Sequence, residues 1–136
     1  MEDERIIKEI LYNLDGWVLE DKIDNEKLND MEFNKSITSE EVLHFFNTAY
    51  NYALSYTRLT SLPTVTKRVD DEDIEEISPQ TLTALSLWAA GLIYRKYNIR
   101  SNDQIDESNT IGYGDSLIIQ AKEMLKGFKS YNFTAY

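Results

Sequence analysis

The sequence predicts an all-α protein: a compact bundle of about four helices with long polar loops and an extended C-terminal tail. Apolar residues recur at helical spacing in several segments. The 136 residues include only five glycines and two prolines, fewer turn residues than sandwiches or Rossmann sheets usually need. The apolar content of 42% argues against disorder. We therefore expect one domain, residues 1–136, with an N-terminal helix and acidic loop (1–36), a helical core (37–129) and an aromatic tail (130–136).

The first helix is predicted from about Asp3 to Leu14, because its apolar residues fall at positions i, i+3, i+4 and i+7. This stripe consists of Ile7, Ile10, Leu11 and Leu14. Gly16 can adopt the left-handed conformation that ends a helix. Residues 17–19 are a short apolar stretch whose pattern predicts no particular secondary structure. The polar, acidic residues 20–35 are interpreted as a loop with at most one helical turn.

The second helix has a clear start, since Thr38 followed by Glu41 forms a capping box. Its apolar stripe predicts an end near Thr57 and consists of Val42, Phe46, Ala49, Ala53 and Tyr56. Residues 64–69 favour a short extended segment that pairs with a neighbour's edge. The next seven residues, 70–76, contain six acids and are interpreted as a solvated or inter-subunit loop. A calcium loop is the alternative, but the alternating pattern of an EF-hand is missing.

The third helix begins with Ser78 as N-cap and Pro79 in the first position. Residues 82–94 are apolar almost all round, which is typical of a central, buried helix. Its small residues, among them Gly91, would let another helix approach closely. A polar loop with glycine punctuation at 112 and 114 then precedes a fourth helix, from about Leu117 to Phe128, capped by Asp115 or Ser116.

Groups for bond-making chemistry are scarce. The chain has no cysteine and a single histidine, His44, which is expected to be a surface or hydrogen-bonded structural residue. We expect no catalytic site, no cofactor and no metal. The net charge of −10 disfavours nucleic-acid binding, because the bases occur only in pairs. The acidic N-terminus does not suit a signal peptide, and no apolar run is long enough to cross a membrane.

The aromatic C-terminal tail allows two interpretations. It can fold back on the helices, or it can dock on a partner, because Tyr and Phe are favoured anchors at interfaces. The candidate partner-binding residues are Phe128, Tyr131, Phe133 and Tyr136.

Three stretches resemble the small helical head–tail connector (adaptor, head-completion) proteins of tailed bacteriophages. They are the helix from Ser39 to Leu54 with its continuation to Pro63, the Leu/Ala-rich helix from Leu82 to Tyr97, and the last helix after Tyr113, rich in Ala, Met and Leu. Together they cover about residues 37–129, whereas residues 1–36 are longer and more acidic than the family's pattern.

The resemblance implies a structural virion protein of the phage neck, made in the host cytoplasm. Such a protein forms a homo-oligomeric ring, usually a dodecamer, that contacts the portal on one side and a stopper or tail protein on the other. DNA passes through the ring without specific binding. No single functional residue is carried over, because surfaces do the work of this family.

Charged residues are the candidates for the contacts between subunits. They are Lys67, Arg68, Asp70, Asp71, Glu72, Asp73, Glu75, Glu76, Arg95, Lys96 and Arg100. Two other classes of function stay open. One is an acidic inhibitor or regulator that mimics DNA and would carry its acids on one continuous face. The other is a small helical enzyme that uses carboxylates with a divalent metal.

Overall fold

The computed structural model describes residues 2–22, 36–98 and 112–128. These residues form four α-helices: α1 (Glu2–Tyr12), α2 (Ser39–Thr57), α3 (Pro79–Asn98) and α4 (Tyr113–Leu125). They also form four strands: β1 (Val18–Leu19), β2 (Ser36–Ile37), β3 (Thr64–Val69) and β4 (Glu72–Ile77). Short 3-10 turns cover Glu20–Lys22 and Lys126–Phe128. The protein is thus mainly helical, as predicted, but it is not purely all-α.

Helix α3 lies at the centre and packs against α1, α2 and α4. Leu85, Ala89 and Ile93 on this helix are completely buried, which confirms the predicted central helix. Fully burying a side chain of leucine size stabilises the folded state by about 1.5–3 kcal/mol. The buried side chains of α3 therefore contribute substantially to the stability of the fold. Leu87 and Leu92 are only half-buried, so parts of the helix surface do reach the outside of the bundle.

The N-terminal caps of α2 and α3 follow the sequence predictions. The Thr38 side chain accepts a hydrogen bond from the Glu41 backbone N–H at 3.1 Å, and Ser78 Oγ accepts one from the Thr81 N–H at 3.3 Å. Asp21, in the 3-10 turn, adds a second cap to α2 by accepting the Ser39 N–H at 3.0 Å. The Ser39 hydroxyl beside the Asp21 carboxylate, and then this backbone hydrogen bond, lower the pKa of Asp21. Helix α2 ends at Thr57 as predicted, because the next residue is left-handed.

Helix α1 turns a slightly different face to the core than predicted. Ile10 and Leu14 are buried, but the third buried residue is Ile6, while Ile7 and Leu11 are half-buried. Gly16 has φ 78°, the left-handed conformation expected after this helix. The following apolar stretch forms β1, which pairs in parallel with β2.

The start of α4 corrects the prediction. The helix begins at Tyr113 and not at Leu117, with Gly112 as an N-cap that has no side-chain hydrogen bond. Gly114 is therefore helical, not loop punctuation, and it faces Gly91 of α3. A Cβ atom on Gly91 would lie 2.5 Å from the Gly114 carbonyl oxygen, and one on Gly114 would lie 2.6 Å from the Gly91 carbonyl oxygen. The two backbones meet here because neither residue has a side chain.

The acidic segment 70–76 also corrects the prediction, since it is not a loop. Strands β3 and β4 pair in antiparallel fashion within the chain, from Thr64 opposite Ile77 to Val69 opposite Glu72. The extended segment 64–69 was correctly predicted, but its partner is the acidic run itself. We call the unit of residues 64–77 the hairpin.

Candidate protein–protein interface

The hairpin has a tight two-residue turn at Asp70 and Asp71, with φ values of 51° and 65°. Positive φ at both central positions is the signature of a type I′ turn, whose twist matches that of the paired strands. Aspartate tolerates this conformation better than most residues other than glycine. The turn thus places two carboxylates at the outermost point of the hairpin.

The strand register gives the hairpin two unlike faces, because residues directly opposite each other point to the same side. One face carries only polar side chains from residue 66 outward: Thr66 and Glu75, then Arg68 and Asp73. The other face carries the apolar residues Val65, Val69 and Ile74 among charged ones, Lys67, Glu72 and Glu76.

Toward the turn, the apolar face of the hairpin is not covered by the described helices. Val69 is 46% exposed and Ile74 is 41% exposed. Neither they nor Val65 belong to the residues packed against the core, whereas Ile77 at the base does. An isolated two-stranded hairpin is marginally stable in water. Burial of Val69 and Ile74 against a partner would therefore stabilise the hairpin.

The base of the hairpin is held firmly by α1. The Ile77 backbone N–H donates to Glu2 Oε2 at 3.1 Å, and the Ile77 carbonyl accepts from Arg5 Nη2 at 2.9 Å. The Ser78 N–H donates to the Pro63 carbonyl at 3.1 Å, which closes the two ends of the hairpin. From this base, six residues per strand carry the turn outward by about 20 Å.

Five of the eight candidate ionic residues on the hairpin are paired with one another. Lys67 Nζ lies 3.1 Å from Glu76 Oε1, and Arg68 Nη1 lies 3.3 Å from Asp73 Oδ1. Arg68 also approaches Asp71 at 3.9 Å. The side chains of Arg68 and of both aspartates are mostly exposed, so these pairs contribute little to stability. The remaining acids, Asp70, Glu72 and Glu75, are exposed.

The two bases at the end of α3 form ion pairs with acids of other helices. Arg95 Nε lies 3.2 Å from Asp115 Oδ1 on α4, and Lys96 Nζ donates to Glu41 Oε2 on α2 at 2.9 Å. The Tyr97 hydroxyl also donates to Glu41. Burial alone would raise the pKa of Glu41, but these two hydrogen bonds outweigh it and lower the pKa. The third candidate base, Arg100, lies outside the described residues.

An open groove of about 450 Å³, which the sequence did not predict, lies between α2, α3 and α4. Tyr52 stacks on Trp88 with ring centroids 6.2 Å apart, and Tyr52 is 52% exposed. Lys122 Nζ lies over the Trp88 ring at 5.6 Å and over the Tyr56 ring at 5.9 Å. The residues lining this groove are Tyr52, Ser55, Tyr56, Trp88, Leu92, Arg95, Ile118 and Lys122.

A local signal for the groove does exist in the sequence. Tyr52 and Tyr56 are four residues apart on α2, so they share one helix face. The predicted buried stripe of α2 included Tyr56 and left Tyr52 aside. Only the packing of three helices shows that both aromatic rings meet Trp88.

No family model matches the chain. No curated protein and no solved structure shows significant similarity to it either.

The other functional predictions fall on scattered positions. His44 is exposed on α2, with its ring edge-on to Phe45 at 5.7 Å. Phe128 is half-buried against the core, whereas the other tail candidates, Tyr131, Phe133 and Tyr136, lie outside the described residues.

Within residues 2–22, 36–98 and 112–128, no three His, Asp or Glu side chains are grouped to hold a metal ion. Among these same residues, no helix has the length and apolar character to span a membrane.

Proposed function

We propose that this chain is a structural assembly protein that forms a homo-oligomeric ring in the neck of a tailed phage, made in the host cytoplasm. The ring, of the dodecameric kind, would join the portal to a stopper or tail protein and let DNA pass. The observation that carries the proposal is the hairpin. It is fixed at its base by α1, it projects from a helical body, and Val69 and Ile74 on its apolar face are exposed among the described residues.

The charge of the chain supports the same proposal. A net charge of −10 repels phosphates, which suits a channel through which DNA slides without being held. The alternative of an acidic DNA mimic is less well supported, since Lys67 and Arg68 interrupt the acids of the hairpin and pair with three of them. A DNA-like surface needs a continuous acidic face.

Electron microscopy of the purified full chain tests the proposal. The chain is imaged alone over a range of concentrations and after mixing with a portal protein from the same genome, and the portal alone serves as the control for its own ring. We expect annular particles of the chain, or an added ring on the portal. A chain that stays monomeric and leaves the portal unchanged would refute the proposed function.

A further inference from the structure

The groove combines an aromatic floor with positive charge. Its lining includes two cations, Lys122 and Arg95, and no acid. Arg95 forms an ion pair with Asp115 at 3.2 Å, whereas Lys122 lies over the aromatic rings of Trp88 and Tyr56. A matching occupant would therefore present apolar side chains flanked by carboxylates.

The hairpin has this composition. Its residues 64–77 contain six acids and two bases, and its uncovered face carries Val65, Val69 and Ile74. The acids are densest at the turn, where Asp70, Asp71 and Glu72 are all exposed. Valine and isoleucine can cover the ring of Tyr52, which is 52% exposed beside the buried Trp88, and the turn carboxylates match the positive charge of Lys122.

The hairpin and the groove lie on different parts of the bundle. The hairpin leaves the end where α1 and α3 begin, as its contacts with Glu2 and Arg5 show. The groove is centred on Trp88 and Leu92, well along α3. A contact between two such different surfaces on two copies is heterologous, and repeated contacts of this kind produce a closed ring or a helical filament.

We propose that the hairpin of one copy docks in the groove of a second copy, with Val69 and Ile74 against the exposed ring of Tyr52 and the turn acids beside Lys122. This inference rests on the proposed ring function, because the contact would be the one through which neighbouring subunits of the ring join. It would bury the apolar side chains that are exposed on both surfaces within the described part of the chain, Val69 and Ile74 on the hairpin and Tyr52 at the groove.

Disulfide trapping tests the contact directly, because the chain has no cysteine. One variant carries Ile74→Cys, and a second, with a larger tag, carries Ser55→Cys at the groove. The two are mixed at high concentration, oxidised and separated on a non-reducing gel. The control pairs Ile74→Cys with Lys8→Cys, an exposed position on α1 that does not line the groove. We expect the 74–55 heterodimer in clear excess over the control.

The outcomes separate this contact from the ring itself. Rings without the 74–55 heterodimer would overturn the contact and leave the proposed function standing. A 74–55 heterodimer in particles that never form rings would support the contact and refute the ring. Predominant 74–74 dimers would mean that the hairpins of two copies pair with each other. A 74–55 heterodimer that forms only after deletion of residues 129–136 would mean that this segment occupies the groove in the full chain. Either result overturns the proposal.

A substitution pair provides a second measurement that needs no cysteine. Ile74→Asp places a carboxylate on the apolar face, and Thr66→Asp places one on the polar face of the same hairpin. Both positions are exposed, so both variants should fold, which circular dichroism checks. We expect Ile74→Asp to weaken self-association about tenfold or more, as sedimentation measures it, and Thr66→Asp to change it much less. Equal effects from the two variants would overturn the proposal.

Discussion

At the residue scale, Gly91 and Gly114 decide how closely α3 and α4 approach. Each would place a Cβ atom within 2.6 Å of the other's carbonyl oxygen, a distance that real Cβ atoms do not tolerate. The obstacle is backbone, which cannot rotate away as a side chain does. The small residues of α3 predicted a close helix contact, but the sequence did not indicate that Gly114 would be the partner.

Substituting Gly91→Ala should therefore destabilise the protein by about 1–3 kcal/mol, because the two helices must move apart. Chemical denaturation followed by circular dichroism measures this change. The matched control is Gly127→Ala, since a Cβ atom there meets nothing within 4 Å. Similar losses for both substitutions would contradict the close contact as the cause.

Glu41 illustrates a residue whose local and tertiary roles differ. The capping-box pattern predicted that its side chain would bond back to Thr38, but it accepts hydrogen bonds from Lys96 and Tyr97 on α3. The Thr38 half of the pattern is confirmed. The carboxylate thus links the start of α2 to the end of α3, 55 residues away in the chain.

This link makes part of the stability depend on pH. The pKa of Glu41 is lower in the folded protein than its ordinary value of 4.5, so its contribution is complete above that value and is lost as the pH falls through the folded pKa. We expect Glu41→Gln to cost about 1 kcal/mol at pH 7 and to reduce the fall in Tm between pH 7 and pH 3. Thermal melts across this range measure both effects.

Glu40→Gln is the matched control, because Glu40 is the exposed neighbour in the same first turn of α2. It should leave the acid dependence of Tm close to that of the parent chain. If Glu41→Gln and Glu40→Gln give the same pH profile, the link between Glu41 and α3 does not contribute to acid stability.

At the element scale, the hairpin is the main departure from the predicted fold. Acidic residues are depleted in strands, so six acids in seven positions favoured a solvated loop. Alternation was nevertheless present, since Val65, Val69 and Ile74 share one face once the turn at 70–71 is known. The pairing depends on that turn and on the clamp from α1, neither of which a local pattern shows.

The clamp itself can be tested with Arg5→Ala, which removes the donor to the Ile77 carbonyl and the charge beside Glu76 at 3.5 Å. We expect faster hydrogen exchange across residues 64–77, little change in α3 and α4, and a global loss of about 1 kcal/mol. Hydrogen–deuterium exchange with mass spectrometry resolves these segments. Lys8→Ala, at an exposed position of the same helix, should leave the exchange of the hairpin unchanged.

At the scale of the whole molecule, the described residues form one hydrophobic core, and the C-terminal tail is predicted to dock on a partner. Phe128 packs on that core and should be retained. Deleting residues 130–136 should leave a folded helical protein with an unchanged circular dichroism spectrum, but should abolish binding to the portal or tail partner. A pull-down with the partner measures this loss. Normal particle assembly without the tail would contradict its predicted role.

The sequence by itself determined where three of the four helices lie, because helical spacing and caps act within one or two turns. Thr38, Ser78 and Pro79 mark starts that the structure confirms. Tertiary structure decided the rest: the pairing of the hairpin, the contact between Gly91 and Gly114, the partners of Glu41 and the aromatic groove. Each of these joins residues that are distant in the chain, and a local pattern has no information about which distant residues meet.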